Sequence, residues 1–137
     1  MQRLNAELLA RVRSLSLPDV AASSAARLIR QSAGLISMDA LAPMLSLSPR
    51  QLERRFSAAV GMPPKVFARL VRFDGVVRRL RDRGLEHGWA TLAVEHGYHD
   101  QAHLVREVRA FAGLTPAALL GELHPVGFVQ YAAAPPR

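Results

Sequence analysis

Two stretches of this chain repeat each other. LSPRQLERRFSAAVGMPP begins at Leu47 and HDQAHLVREVRAFAGLTP begins at His99, an offset of 52. In that register Ser48 meets Asp100, Leu52 meets Leu104, Arg54 meets Arg106, Phe56 meets Val108, Gly61 meets Gly113 and Pro64 meets Pro116. Upstream, Leu41–Ala42 matches Leu92–Ala93 at an offset of 51, so one turn is a residue longer than the other. Each copy reads short helix, tight turn, capped helix, which is the helix-turn-helix pattern. A duplicated unit of this kind has to bury its apolar stripes against neighbouring helices.

The rest of the chain has the same helical period. No stretch alternates with period two, so the fold class expected is all-α. An amphipathic helix spans 3–15, with Leu4, Leu8, Val12 and Leu15 near helical spacing. Asp19 caps a helix reaching Ser32 before Gly34, and Ser37 caps a short one ending near Leu45. Ser48–Pro49–Arg50–Gln51 is a capping box with proline at the first helical position, two start signals at one place. That helix runs to Val60 and stops at Gly61. Pro63–Pro64 opens a segment to Arg83, stopped by Gly84. A short helix over Ala90–His96 ends at Gly97, Asp100 caps the next as far as Gly113, and Pro116 begins the last. The tail from His124 to Arg137 reads as loop or fraying terminus.

Composition narrows the function. The chain has 137 residues, room for one ordinary domain or two very small ones. Half of them are hydrophobic, enough for a core. There is no cysteine, which removes disulfides, thiolate zinc sites, iron–sulfur clusters and cysteine nucleophiles. No apolar run is long enough for a transmembrane helix, and MQRLNAELLARVR lacks the apolar core of a signal peptide, so a cytoplasmic protein and no membrane partner are expected. The net charge is +7, and all the basic residues but Lys65 are arginine. A high-GC genome enriches arginine without any functional cause, so position decides.

In the first copy Leu52, Phe56 and Ala59 form the inner stripe, with Arg50, Glu53, Arg54 and Ser57 opposite. In the second the stripe is Leu104, Val108 and Phe111, with Gln101, Ala102, Val105, Arg106 and Arg109 facing out. For a single amphipathic helix a solvated charged face is the better explanation. Two copies sharing a turn and an outward arginine favour nucleic acid, since arginine bonds guanine bidentately and glutamine adenine. The segment from Pro64 to Arg83, about 30 Å long if helical, is comparable to the ~34 Å between successive major grooves on one DNA face.

These residues resemble the DNA-binding domain of AraC/XylS-type transcription regulators over about Asp19 to Glu122. The likeness rests on LSPRQLERRF, GMPPKVFARLVRF and LAVEHGYHDQAHLVREVRAFAGLTP. It implies two helix-turn-helix subdomains, about 37–61 and 89–113, joined by a long helix at about 64–84 inside a domain spanning 19–123. Residues 1–18 are then an N-terminal helix or linker and 124–137 a tail. It also implies base reading by Arg50, Glu53 and Arg54 in one major groove and by Gln101, Ala102, Val105 and Arg106 in the next. Ser48, Arg55, Lys65, Arg69, Arg72 and Arg109 are the candidates for DNA-backbone contacts. Double-stranded DNA is the expected partner. RNA polymerase and a separate ligand-sensing or dimerisation domain are further ones, the chain being read as a fragment of a longer regulator. Ser46 stands where the first turn usually has glycine, and Pro43 falls inside the first short helix, so a looser or differently bent first subdomain is expected. Glu53 either reads a cytosine amino group or pairs with a neighbouring arginine.

Two rival readings have specific residues behind them. His96, His99 and His103, with Asp100 between, have spacings that could suit a metal. In this turn and helix they read as structural, so no metal, cofactor or catalytic residue is expected. The arginine faces could instead bind an acidic protein, in which case duplex binding would be absent.

Overall fold

The computed structural model describes residues 2–14 and 18–124, and every regular element within them is a helix. In chain order these are α1 (Gln2–Ser14), α2 (Val20–Gln31), α3 (Met38–Met44), α4 (Pro49–Val60), α5 (Pro64–Arg83), α6 (Trp89–Glu95), α7 (Gln101–Ala112) and α8 (Pro116–Leu123). Their starts follow local chemistry. Asp19, Ser37, Ser48, Asp100 and Thr115 are N-caps whose side chains accept the backbone N–H three residues on, satisfying a donor that the first turn leaves open. At Ser48 the box is reciprocal: the Gln51 N–H donates to Ser48 Oγ at 3.1 Å, and the Ser48 N–H to Gln51 Oε1 at 2.9 Å. Leu15 of the expected first stripe, and the expected tail beyond His124, lie outside the described residues.

The chain divides into two compact units, one covering Arg3–Arg72 and the other beginning at Phe73. In the first, α2 and α3 pack on α4. The facing surface of α2 is Ala22, Ala25, Ala26 and Ile29, all buried, and its small side chains let the helices approach closely. Leu41, Leu52, Phe56 and Phe67 complete this core, with Phe56 and Phe67 edge to face at 5.3 Å between ring centres. Burying each of these large side chains contributes about 1.5–3 kcal/mol. In α1 the buried residues are Leu9 and Val12, while Leu8 of the expected stripe is half-buried. The Arg30 guanidinium donates to the Val12 carbonyl at 3.0 Å, satisfying an acceptor near the end of α1.

Gly34 is the expected stop of α2, but its role is larger. Ala33 already takes the left-handed conformation (φ 55°) that closes the helix, and the Gly34 N–H bonds the Ile29 carbonyl at 2.9 Å. Gly34, itself left-handed at φ 77°, then lies against the backbone of α5. A Cβ there would overlap the Ala68 carbonyl oxygen and sit 3.0 Å from the Arg72 nitrogen.

In the second unit α6 and α8 pack on α7. Phe73, Val76, Leu80, Leu92, Leu104, Val108, Leu119 and Leu120 are buried, and Phe73 meets Phe111 at 5.6 Å. Phe111, expected on the inner stripe, is only half-buried, while Ala112 and the charged Glu107 are buried. A buried carboxylate is costly unless paired, and Glu107 has His103 Nε2 3.8 Å away. Buried Asp74 likewise pairs with Arg78 one turn on at 3.1 Å. The His96 ring packs where α5 carries Gly75: a Cβ there would be 3.3 Å from His96 Nδ1. Burial therefore holds the His96 pKa below its ordinary value, and Arg79 lowers it further against the raising effect of Glu95.

Candidate nucleic-acid interface

Both turns close by the same hydrogen bonds. After α3 the Leu47 N–H donates to the Ala42 carbonyl and the Ser46 N–H to the Pro43 carbonyl, each at 3.0 Å. After α6 the Tyr98 N–H donates to the Ala93 carbonyl at 2.9 Å and the Gly97 N–H to the Val94 carbonyl at 3.1 Å. This pair of bonds is a Schellman closure, which needs the first of its two donor residues to be left-handed. Gly97 takes that place at φ 79°, and Ser46 takes it at φ 55° at a cost of about 1 kcal/mol. Pro43, inside α3, leaves this closure intact. The two short helices thus end in the same closure despite the departures expected to loosen the first turn.

The additional residue of the second turn is His99. Leu47 corresponds in space to Tyr98, and only from Ser48 and Asp100 onward does the offset of 52 hold. Asp100 caps α7 through the His103 N–H at 2.8 Å. That bond, with His99 adding to it, holds the Asp100 carboxyl below the usual carboxylate range. The histidines expected to be structural are engaged locally: His103 Nδ1 accepts the His99 N–H at 3.3 Å, and its ring stands edge-on to buried Tyr98. No group of three or more His, Cys, Asp or Glu placed to hold a metal ion occurs among the described residues.

At 3.6 residues per turn, Arg50 and Arg54 lie opposite the buried Leu52 and Phe56 on α4, and Ala102, Arg106 and Arg109 lie opposite Leu104 and Val108 on α7. All five are exposed, as are Glu53 on the flank of α4 and Gln101 at the first position of α7. Val105 is half-buried. Glu53 makes no ion pair with a neighbouring arginine among the described residues.

The residues expected to face the DNA backbone are placed unevenly. Ser48 is exposed but its hydroxyl oxygen is the α4 cap. Lys65 and Arg109 are exposed and Arg69 is half-buried. The Arg55 guanidinium lies on Asp19, the N-cap of α2, at 3.2 Å. The N–H of Ala22, and after it Arg55, keeps the Asp19 carboxyl below its ordinary value. The Arg72 guanidinium donates to the Gly34 carbonyl at 3.1 Å. Those last two arginines are therefore tied into the fold, by partners 36 and 38 residues away that no local pattern signals.

A family model described as a helix-turn-helix domain matches residues 41–121, which take in both turns and both capped helices. The chain belongs to the AraC-type helix-turn-helix family. This AraC-type domain is a DNA-binding module of transcription regulation, and its family is one of DNA-binding domains rather than enzymes. Neither curated proteins nor solved structures give a match to the chain. No helix among the described residues is long and apolar enough to cross a membrane.

Proposed function

We propose that this AraC-type domain recognises a specific duplex sequence by placing α4 in one major groove and α7 in the adjacent one. The observation that carries this reading is the matched pair Arg54 and Arg106. Each is exposed, each is the sixth residue of its capped helix, and each helix follows a short helix with the same closing hydrogen bonds. Arg50, Glu53 and Arg54 read one half-site, with Glu53 accepting from a cytosine amino group. Gln101, Ala102, Val105 and Arg106 read the other, where Ala102 and Val105 offer apolar contact to thymine methyl groups. The positive end of the α4 dipole, capped by the neutral Ser48, favours phosphate, whereas that of α7 is already met by the Asp100 carboxylate.

Lys65, Arg69 and Arg109, with the Ser48 turn, serve the phosphate backbone. Arg55 and Arg72 join them only by giving up their bonds to Asp19 and Gly34. The site of action is the cytoplasm, and RNA polymerase and a ligand-sensing or dimerisation domain on a longer chain are the further partners. The test is a titration of selected duplex against salt. Neutralising about six phosphates would lower affinity roughly a thousandfold between about 50 and 200 mM salt. Affinity independent of salt would favour an acidic protein as the partner instead.

A further inference from the structure

Within the Arg3–Arg72 unit, the N-terminal turn of α4 and the starts of α3 and α5 enclose a groove of about 490 Å³. Its floor and walls are apolar, from Met38, Leu52, Pro64 and Val66, and the cations Arg50, Lys65 and Arg69 line it as well. Proline at 49, 63 and 64 fixes the backbone on two sides, so the cavity exists before anything enters it. Its size and mostly apolar surface suit a small-molecule site, with four charged residues, Arg50, Glu53, Lys65 and Arg69, around it. Arg50 and Lys65 are exposed and make no hydrogen bond or ion pair among the described residues. Glu53 is the one acid along the lining. A phosphodiester would meet these cations but leave the apolar floor unfilled. Filling it needs an apolar body, whose transfer from water favours binding.

We propose that this groove binds an amphiphilic anion, a compact apolar body carrying one carboxylate that faces Arg50 and Lys65. Binding itself stands apart from the base-reading proposal. Its consequence rests on that proposal: the groove shares Arg50 and Glu53 with the α4 reading face, so an occupied groove competes with duplex.

The test is a titration of the whole chain, free of DNA, with 4-phenylbutyrate, its neutral amide and inorganic phosphate, followed by amide NMR shifts and calorimetry. Expected are saturable one-to-one binding of the carboxylate with shifts at Met38, Lys65 and Val66, and about tenfold weaker binding of the neutral amide, the equivalent of one charge-assisted hydrogen bond. Lys65→Ala should weaken the carboxylate about three- to tenfold, and Arg81→Ala, exposed on α5 outside the groove, should leave it unchanged. Equal binding of acid and amide, phosphate binding as tightly as the carboxylate, shifts centred elsewhere, or no saturation at millimolar concentration would overturn the proposal. Saturable binding that leaves duplex affinity untouched in a separate competition titration would uphold the groove and count against Arg50 and Glu53 as base readers.

Discussion

Two glycines with the same backbone strain and different surroundings separate conformational cost from close packing. Gly34 (φ +77°) and Gly61 (φ +87°) both occupy the left-handed region, where a side chain costs about 1 kcal/mol. A Cβ on Gly61 meets nothing within 4 Å, whereas one on Gly34 overlaps the Ala68 carbonyl and presses on the Arg72 nitrogen. Neither neighbour is a flexible side-chain tip; both belong to the backbone of α5, so the loop itself has to move. That movement also stretches the Arg72–Gly34 hydrogen bond of 3.1 Å. Overpacking of this sort costs about 1–3 kcal/mol. Gly61→Ala should therefore cost about 1 kcal/mol or less, once the smaller unfolded-state entropy of alanine is counted. Gly34→Ala should cost about 2–4 kcal/mol. Urea unfolding followed by helical circular dichroism measures both, and with a slope of about 2 kcal/mol per molar the midpoints should differ by about 1 M. Equal midpoints for the two variants would refute the close approach of the α2–α3 loop to α5.

Two further outcomes follow from the same geometry. Arg106→Ala should lose about 1–3 kcal/mol of duplex binding and relax preference at one base pair, and Arg54→Ala the same or less, since its helix follows the strained Ser46 turn; isotherms against the selected site and its single-base variants decide, and an unchanged preference in Arg106→Ala would remove α7 as a reader. Burial lowers the His96 pKa, so the neutral ring is the form the fold favours: its contribution to stability is complete above the unfolded value near 6.5 and is lost as pH falls from there through the folded value. The urea midpoint should accordingly drop below about pH 6.5 in the wild type and drop less in His96→Asn, and parallel pH profiles would contradict this.

What could be read from the sequence was whatever is signalled within four residues. Ser48 with Gln51, Asp100, and the glycines at 61 and 113 mark helix ends through bonds that span three or four residues, and the observed ends fall at those marks. The outward arginines of α4 and α7 were legible because helical period alone places them opposite Leu52 and Leu104. Other features depend on contacts between distant segments. Nothing local marks Arg55 as the partner of Asp19, Arg72 as the clamp on Gly34, or Glu107 as a buried carboxylate. Phe111, expected on the inner stripe, is half-buried and Ala112, which the sequence pattern assigned to neither face, is buried, because the α7 stripe drifts around the helix toward its C-terminal end, a rotation that only the packed neighbours fix. The location of the longer turn was equally hidden. Both Leu47 and His99 precede a cap, and only the hydrogen bonds show that Tyr98 is the equivalent of Leu47.

The central claim is that one chain reads two adjacent grooves, and a hydroxyl-radical footprint on a selected duplex tests it most directly. With protein titrated at concentrations where it is monomeric, the account predicts two protected segments on the same face, their centres about 10 base pairs apart, within a site of about 15–20 base pairs. In Arg106→Ala the protection over the α7 half-site should weaken first. A footprint confined to one groove, or protection that requires a symmetric dimer, would contradict it.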